Sequence, residues 1–275
     1  MSSKKCDLRF WSILSYVPLR HLEDATPDAT DLPKKDRARE GCAKLGIEDK
    51  LCEKMLLGHN LMVWLKNNIM VQNYLRKDHK EVEMSELVAH LTKVVLAEEL
   101  EANRNTEFHE LLGEFLKGDS LLVPVPPHFQ MESNSTSGRL WVPDRIAAHM
   151  EELGLGRRLV ALRREREVPK SSTRLKRTER RTATHYESLG VISDEDLNGK
   201  RVVLIDDVVT TGSTMLGSAR RILHRYPEAQ IVGFAAMRTV SDPHKFRGTL
   251  DPVAGCIVRN EDCTTNEDCT TYRRP

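Results

Sequence analysis

The chain has 275 residues, of which 39% are hydrophobic, so it is long enough to bury one large core or a core with a smaller companion. Lys plus Arg number 42 and Asp plus Glu 41, so the overall charge favours neither a polyanionic nor a polycationic partner. No apolar run reaches the ~18 residues of a membrane span, and Arg9 and Pro18 interrupt the first apolar stretch. We therefore expect a soluble, cytoplasmic protein.

The six cysteines are sparse for this length. Four of them lack the spacing of metal ligands, and we expect reduced thiols at Cys6, Cys42, Cys52 and Cys256. The other two, Cys263 and Cys269, lie in the near repeat NEDCTTNEDCTT at residues 260–271. That repeat has no second ligand pair, so a polar C-terminal tail over residues 256–275 is favoured over a zinc site or a disulfide.

Residues 1–118 are predicted to form a helical N-terminal region. Residues 24–39 are rich in Asp, Pro, Thr and Lys and are typical of a loop. Apolar residues then recur at helical spacing in three segments, at Leu61, Leu65 and Ile69, at Leu87, Leu91 and Val95, and at Phe108, Leu111, Leu112 and Phe115. The histidines in this region, His79, His90 and His109, do not pair at a spacing of three or four residues, so ordinary core or surface histidines are favoured over a metal site.

From residue 121 onward, strand and helix signals alternate. Strands are predicted at residues 121–126, 158–162, 201–205 and 230–237, and helices at 145–153 and 213–226. Pro143 and Asp144 open the first of these helices and Gly154 ends it. Strands separated by helices predict an α/β fold with a parallel sheet, whose ligands bind at the carboxyl ends of the strands.

The segment VVLIDDVVTTGST, residues 202–214, combines three kinds of residue in one order. Four apolar residues are typical of a buried parallel strand, and Asp206 and Asp207 follow them. A loop of small hydroxyl residues with Gly212 then leads into a helix N-terminus, where backbone N–H groups and the helix dipole favour phosphate. The two carboxylates can accept hydrogen bonds from two hydroxyl groups, and the neighbouring loop can bind a phosphate. A ribose 5-phosphate presents both kinds of group.

Other interpretations of this segment explain fewer of its residues. The chain contains no G-x-x-x-x-G-K-[ST] motif, and Gly154 and Gly156 end a predicted helix without a third glycine, so neither a P-loop nor a dinucleotide fold is favoured. A buried strand followed by an N-capped helix accounts for Asp207 and Thr210 one at a time. It does not require both acids, both threonines and the glycine in that order.

The same thirteen residues resemble the signature with which type I phosphoribosyltransferases bind 5-phosphoribosyl-1-pyrophosphate (PRPP). Pro124-Val125-Pro126 resembles the first strand of the ComF-like, amidophosphoribosyltransferase-like subgroup. The resemblance implies a type I phosphoribosyltransferase fold over residues 119–255, in which helices flank a central parallel sheet. Residues 1–118 would then be a hood over the acceptor site or an accessory module.

The resemblance also implies roles for individual residues. Asp206 and Asp207 would hold the ribose hydroxyls directly or through water on Mg²⁺, the implied cofactor. The residues expected to contact PRPP are Asp206, Asp207, Val208, Thr210, Thr211, Gly212, Ser213, Thr214 and Pro126. The family's R-G-F-N-Q element is absent after Pro126, where residues 128–138 form a polar stretch instead.

Residues 157–181 carry eleven basic and three acidic side chains. Three interpretations are open: a mobile loop that closes over pyrophosphate, a nucleic-acid patch, and a solvated surface. The position of this stretch, between the second strand and the PRPP strand, favours the first. Lys170, Arg174 and Arg181 are the predicted catalytic residues of that loop, together with Asp206 and Asp207.

The function implied is transfer of the 5-phosphoribosyl group from PRPP to a small acceptor, a nucleobase or an amine, with release of pyrophosphate. Two alternatives stay open: a non-catalytic PRPP sensor that binds nucleic acid or a protein, and a phosphoribosyl hydrolase. The expected partners are PRPP and the small-molecule acceptor. We also expect the chain to form a homo-oligomer and not to bind a membrane.

Overall fold

The computed structural model describes residues 6–26, 31–75, 78–101, 113–130, 140–168, 182–259 and 271–274. Its strands are β1 (Leu8–Tyr16), β2 (Met70–Gln72), β3 (Glu81–Glu83), β4 (Leu121–Pro124), β5 (Arg157–Arg158), β6 (Leu162–Arg164), β7 (Leu189–Val191), β8 (Arg201–Val209), β9 (Gln230–Thr239), β10 (Leu250–Arg259) and β11 (Thr271–Arg274). Its α-helices are α1 (Leu19–Glu23), α2 (Lys34–Lys44), α3 (Asp49–Asn67), α4 (Met84–Glu101), α5 (Val142–Glu152), α6 (Thr182–Glu187) and α7 (Ser213–Arg225), and Pro243–Lys245 form a 3₁₀ turn.

Seven strands form the main sheet in the order β11-β10-β1-β9-β8-β4-β5. Five adjacent strands of this sheet run parallel, namely β1, β9, β8, β4 and β5. Strands β10 and β11 add antiparallel pairs at one edge. Helix α5 packs on the sheet face that carries Val203 and Ile205, whereas α7 packs on the face that carries Val202 and Leu204. Side chains along a strand point alternately to the two faces, so these four fully buried residues serve both layers. The predicted α/β fold is confirmed.

The N-terminal region differs from the prediction. We expected helices throughout residues 1–118, but Leu8–Tyr16 forms β1, which pairs with β9 and β10 inside the main sheet. Its residues Phe10, Trp11 and Ile13 are almost fully buried, which is why the segment is apolar on both faces rather than at helical spacing. The remaining helices of this region lie outside the sheet, and α1, α2 and α3 enclose a core of their own around Leu22 and Met55.

The sheet also differs from the prediction elsewhere. The predicted strand at 158–162 is wrong in extent, because β5 ends at Arg158 and β6 forms a separate two-stranded sheet with β7. The predicted polar tail at 256–275 is wrong where β10 continues to Arg259 and where Thr271–Arg274 pair with it. Strand β10 gains hydrogen-bond partners from β1 and β11, and β11 gains them from β10, which local polarity does not reveal.

Four cysteines are paired in the structure. Cys6 is bonded to Cys256, with Cα atoms 5.7 Å apart, and joins the start of β1 to β10. Cys42 is bonded to Cys52 and joins α2 to α3. Reduced thiols were expected at these positions, because their spacing in the sequence does not show that the fold brings them together. Cys263, Cys269 and His109 lie outside the described residues.

Two classes of feature are absent from the part of the chain that is described. No group of three or more His, Cys, Asp or Glu side chains there could hold a metal ion, and His79 and His90 belong to no such group. None of the helices there has the length and apolar character that a membrane crossing requires.

Candidate functional site

The topological switch point of the main sheet lies between β4 and β8, and the space outside the carboxyl ends of these two strands is called the crevice. The chain leaves β4 for β5 on one side, whereas it leaves β8 for β9 on the other, so the crossover direction reverses between these two strands. Pairing of β4 with β8 ends at Pro124 and Ile205, but β8 continues beside β9 to Val209. A reversal of this kind is where open α/β sheets bind ligands, outside the carboxyl ends of the strands.

Asp206 and Asp207 lie where β8 extends beyond the end of its neighbour β4. They were predicted to follow the strand, but they belong to it, because pairing with β9 continues past them. Asp206 Oδ1 accepts from the backbone N–H of Asp207 at 2.9 Å, and Asp207 Oδ1 accepts from Val208 N–H at 2.7 Å. These bonds hold one oxygen of each carboxylate against the backbone of the strand.

A lysine from the N-terminal region reaches this pair. Lys66 Nζ, in the last turn of α3, lies 3.3 Å from Asp207 Oδ2. The negative charge of Asp207 raises the pKa of the Lys66 ammonium, and burial opposes that increase. Lys66 is the functional residue that sequence reasoning missed, since it lies 141 residues from its partner and no local motif marks it.

Burial strongly perturbs Asp206. It raises the pKa of this carboxyl well above the ordinary value, and the adjacent charge of Asp207 raises it further, while Lys66 acts in the opposite direction. Strongly shifted carboxyls in a crevice are typical of binding and catalytic sites.

The loop that follows β8 brings the predicted hydroxyl residues together. Gly212 has φ 87°, a left-handed conformation that favours glycine, and it is the N-cap of α7. A Cβ atom built there would lie 2.6 Å from Ile257 Cδ1, so space as well as backbone angle excludes a side chain. Thr211 Oγ1 and Ser213 Oγ are 3.0 Å apart beside this turn. A glycine cap leaves the first N–H groups of α7 without a capping side chain from the N-cap residue.

Behind the loop lies His185, on α6. Its Nε2 is 3.4 Å from Thr214 Oγ1, and its side chain is 6% exposed. Burial lowers the pKa of the imidazole to about 4, and the charge of Arg164 adds to the effect. The Nδ1 atom of His185 finds no hydrogen-bond partner among the described residues. The ring is therefore a neutral, buried support for the last residue of the hydroxyl loop.

The turn after β4 is held by a buried arginine. Arg164, on β6, is fully buried, and its Nε donates to the carbonyl oxygen of Pro127 at 2.8 Å. Nη2 donates to the carbonyl of Pro126 at 3.3 Å, and Nη1 donates to Ser188 Oγ. Burial lowers the pKa of this guanidinium to about 10, although the charge of Asp206 acts against that shift. Pro126, predicted to contact ligand, is itself buried in this turn.

In the described part of the basic stretch, residues 157–168, the arginines have internal partners. Arg157 pairs with Glu195, and Arg158 forms two hydrogen bonds with Asp144, at 2.6 and 2.8 Å. Together with the buried Arg164, these residues do not form an open cationic patch. The three residues predicted for the closing loop, Lys170, Arg174 and Arg181, lie outside the described residues.

The donor set fits Mg²⁺ in a limited way. Asp206 and Asp207 offer carboxylate oxygens, which this cation prefers, but two carboxylates alone leave most of its six positions to water and ligand oxygens. Lys66 already occupies the outer oxygen of Asp207. The site therefore suits a cation that is carried in by a phosphorylated ligand more than one that is caged by protein.

The parallel sheet, the reversal between β4 and β8, and the acidic pair followed by a hydroxyl loop define an α/β domain with a candidate ligand site at the carboxyl ends of its strands. A family model described as "Phosphoribosyl transferase domain" matches residues 146–254, which include both acids and the loop. Residues 146–254 are therefore similar to phosphoribosyl transferase domains. No curated protein matches the chain.

Proposed function

We propose that this chain binds PRPP with Mg²⁺ and transfers the 5-phosphoribosyl group to a nucleobase or an amine, releasing pyrophosphate. The observation that carries the proposal is the position of the two carboxylates and the hydroxyl loop on one strand–turn–helix unit, at the crevice where the sheet reverses. Carboxylates and a phosphate loop this close suit a ligand that has a diol at one end and a phosphate at the other.

Each part of PRPP has a proposed contact. Asp206 and Asp207 accept hydrogen bonds from the ribose hydroxyls, and Val208 belongs to the same strand end. Thr210, Thr211, Gly212, Ser213 and Thr214 surround the 5-phosphate, which the N-terminus of α7 also attracts. Pro126 belongs to the turn that faces the pyrophosphate, and Arg164 keeps that turn in place.

The proposed reaction breaks the bond between C1 of the ribose and the pyrophosphate oxygen, and a nitrogen of the acceptor forms the new bond to C1. The electron pair of the broken bond leaves with pyrophosphate, so positive charge develops on the ribose ring and negative charge on the leaving group. Mg²⁺ would neutralise part of the pyrophosphate charge when bound. Asp206 and Asp207 orient the ribose and lie near the developing positive charge.

Several further roles are proposals of the same kind. Lys170, Arg174 and Arg181 would close over the pyrophosphate and stabilise its charge. The helical part of the N-terminal region, which follows β1, would form the hood, and the approach of α3 to Asp207 supports that role. In a regulator that binds nucleic acid, Arg157, Arg158 and Arg164 would contribute little, because each already has an internal partner.

Titration calorimetry with PRPP and Mg²⁺ tests the binding proposal. We expect the wild-type chain to bind, and the double variant Asp206→Asn with Asp207→Asn to lose binding by at least tenfold. Glu151→Gln with Glu152→Gln is the matched control, because it removes two adjacent carboxylates from the exposed side of α5. Equal affinity in the Asn variant and the wild type contradicts the proposed site.

A pyrophosphate-release screen over purines, pyrimidines, amines and water then tests turnover. Release that needs a nitrogen acceptor supports a transferase, whereas release with water alone identifies a hydrolase. PRPP binding without release under any of these conditions identifies a sensor.

A further inference from the structure

The ammonium of Lys66 lies beside the outer carboxylate oxygen of Asp207. Its Nζ is 3.3 Å from Asp207 Oδ2, while Oδ1 of both Asp206 and Asp207 accepts from backbone N–H groups. The outer oxygen of Asp207 therefore already has a cation. The side chain of Asp207 is 19% exposed and that of Lys66 is 47% exposed, so the ion pair is shielded at the carboxylate and open to water at the ammonium.

The fold fixes the end of α3 from which Lys66 projects. The helix ends at Asn68, a left-handed residue whose Nδ2 donates to Glu83 Oε2 at 2.8 Å and whose Oδ1 accepts from Ser85 N–H at 2.9 Å. Further back, a Cβ on Gly58 would lie 3.0 Å from the carbonyl oxygen of Ser15, so α3 packs directly on the end of β1. Lys66 is therefore placed by two elements rather than by a free surface helix.

We infer that Lys66 is the resident counter-ion of the carboxylate pair, and that it determines which ligands the site takes without a metal. This inference rests on the proposed function. Because the ammonium neutralises Asp207, the two acids bind the ribose hydroxyls without a divalent cation, and Mg²⁺ enters only with the pyrophosphate of PRPP. The ammonium has three N–H donors, so it can donate a hydrogen bond to a ribose hydroxyl and retain its ion pair with Asp207.

The inference predicts two binding properties. First, the free chain binds divalent cations weakly, since Lys66 and the cation compete for Asp207 Oδ2. Second, the site binds a phosphoribosyl compound that lacks pyrophosphate, such as ribose 5-phosphate, equally well in EDTA and in Mg²⁺. Replacing Lys66 with a neutral side chain of similar length reverses both properties.

The experiment compares the wild type with Lys66→Met, with Lys66→Arg as the variant that keeps the charge, and with Lys50→Met, which removes an exposed lysine from the same helix. Free Mn²⁺ is measured by electron paramagnetic resonance without ligand. Ribose 5-phosphate binding is measured by calorimetry in EDTA and again in Mg²⁺. Circular dichroism confirms that each variant is folded.

We expect Lys66→Met to bind Mn²⁺ about tenfold more tightly and to bind ribose 5-phosphate about tenfold more weakly in EDTA, the loss of one charge-assisted hydrogen bond. Mg²⁺ should restore much of the second loss. Lys66→Arg and Lys50→Met should resemble the wild type.

Equal Mn²⁺ affinity in Lys66→Met and the wild type overturns the inference, as does tight Mn²⁺ binding by the wild type itself. If none of the chains binds ribose 5-phosphate or PRPP, the proposed function fails, and the Mn²⁺ comparison still decides whether Lys66 excludes a cation from Asp207.

Discussion

Arg164 donates a hydrogen bond from Nε to the carbonyl oxygen of Pro127 at 2.8 Å, from a position with no exposed surface. A buried guanidinium that binds main-chain carbonyls is costly to desolvate, so it persists where it organises a backbone turn. This turn follows β4 and forms one wall of the crevice that holds Asp206. Arg164 therefore links the small β6/β7 sheet to the proposed PRPP site.

Arg164→Met should lower the free energy of unfolding by about 3 kcal/mol, because the Pro126 and Pro127 carbonyls lose their buried donor. Urea denaturation at neutral pH measures the change. Arg166→Met is the control, since Arg166 is exposed and donates to one carbonyl, that of Glu187. We expect the control to change stability by less than about 1 kcal/mol. Similar losses in both variants would show that Arg164 is not a buried anchor.

Gly212→Ala should lower stability and PRPP affinity more than an alanine substitution at another glycine that has a positive φ but free space around it. Gly199 has φ 69° and no atom within 4 Å of an added Cβ, so Gly199→Ala measures the backbone cost, about 1 kcal/mol. Gly212→Ala adds the clash with Ile257 and displaces the hydroxyl loop. Thermal unfolding and PRPP calorimetry should both show the larger loss.

Ile257→Ala provides a further check on the Gly212 result. Removing the Ile257 side chain makes room for the added methyl group, so Gly212→Ala with Ile257→Ala should bind PRPP better than Gly212→Ala alone. No recovery in the double variant would mean that the backbone angle, rather than the contact with Ile257, limits this position.

The Cys6–Cys256 bond joins residues 250 positions apart, so its oxidation should raise stability markedly. The chain-entropy account gives an increase on the order of 5 kcal/mol for a loop of this length. Melting temperatures of the wild type with and without reductant should differ, and Cys6→Ser should remove most of the difference. Cys42→Ser, which opens a loop of ten residues, should remove less. Identical melting temperatures with and without reductant would show that the thiols stay reduced.

Local sequence was sufficient for the centre of the domain. Val202, Val203, Leu204 and Ile205 are all fully buried, as an apolar run of this length predicts for a central parallel strand. The helix predicted at 213–226 is observed at Ser213–Arg225, because its start and end signals are adjacent to it in the chain. These features depend on residues within one turn or one strand.

Features that depend on distant residues could not be predicted in the same way. The position of β1 follows from pairing with β9 and β10, more than two hundred residues later. Lys66 meets Asp207 only because α3 packs against the end of β1, and Arg164 lay in a basic stretch whose charge suggested a surface loop. Tertiary packing decides whether a lysine or arginine is solvated, paired or buried.

His185 should make the fold sensitive to mild acid. Its folded-state pKa is about 4, below the ordinary value of 6.5, so the unfolded chain binds a proton that the folded chain excludes between these values. The stability that the neutral ring contributes is complete above about pH 6.5 and is lost as the pH falls towards 4. At pH 5 the loss is about 2 kcal/mol relative to pH 7.5.

Urea denaturation of His185→Gln at pH 5 and pH 7.5 tests this. The difference in the free energy of unfolding between the two pH values should be about 2 kcal/mol smaller than in the wild type. His244→Gln, at an exposed position, should keep the wild-type difference. If His185→Gln keeps it as well, the imidazole is not held neutral behind Thr214.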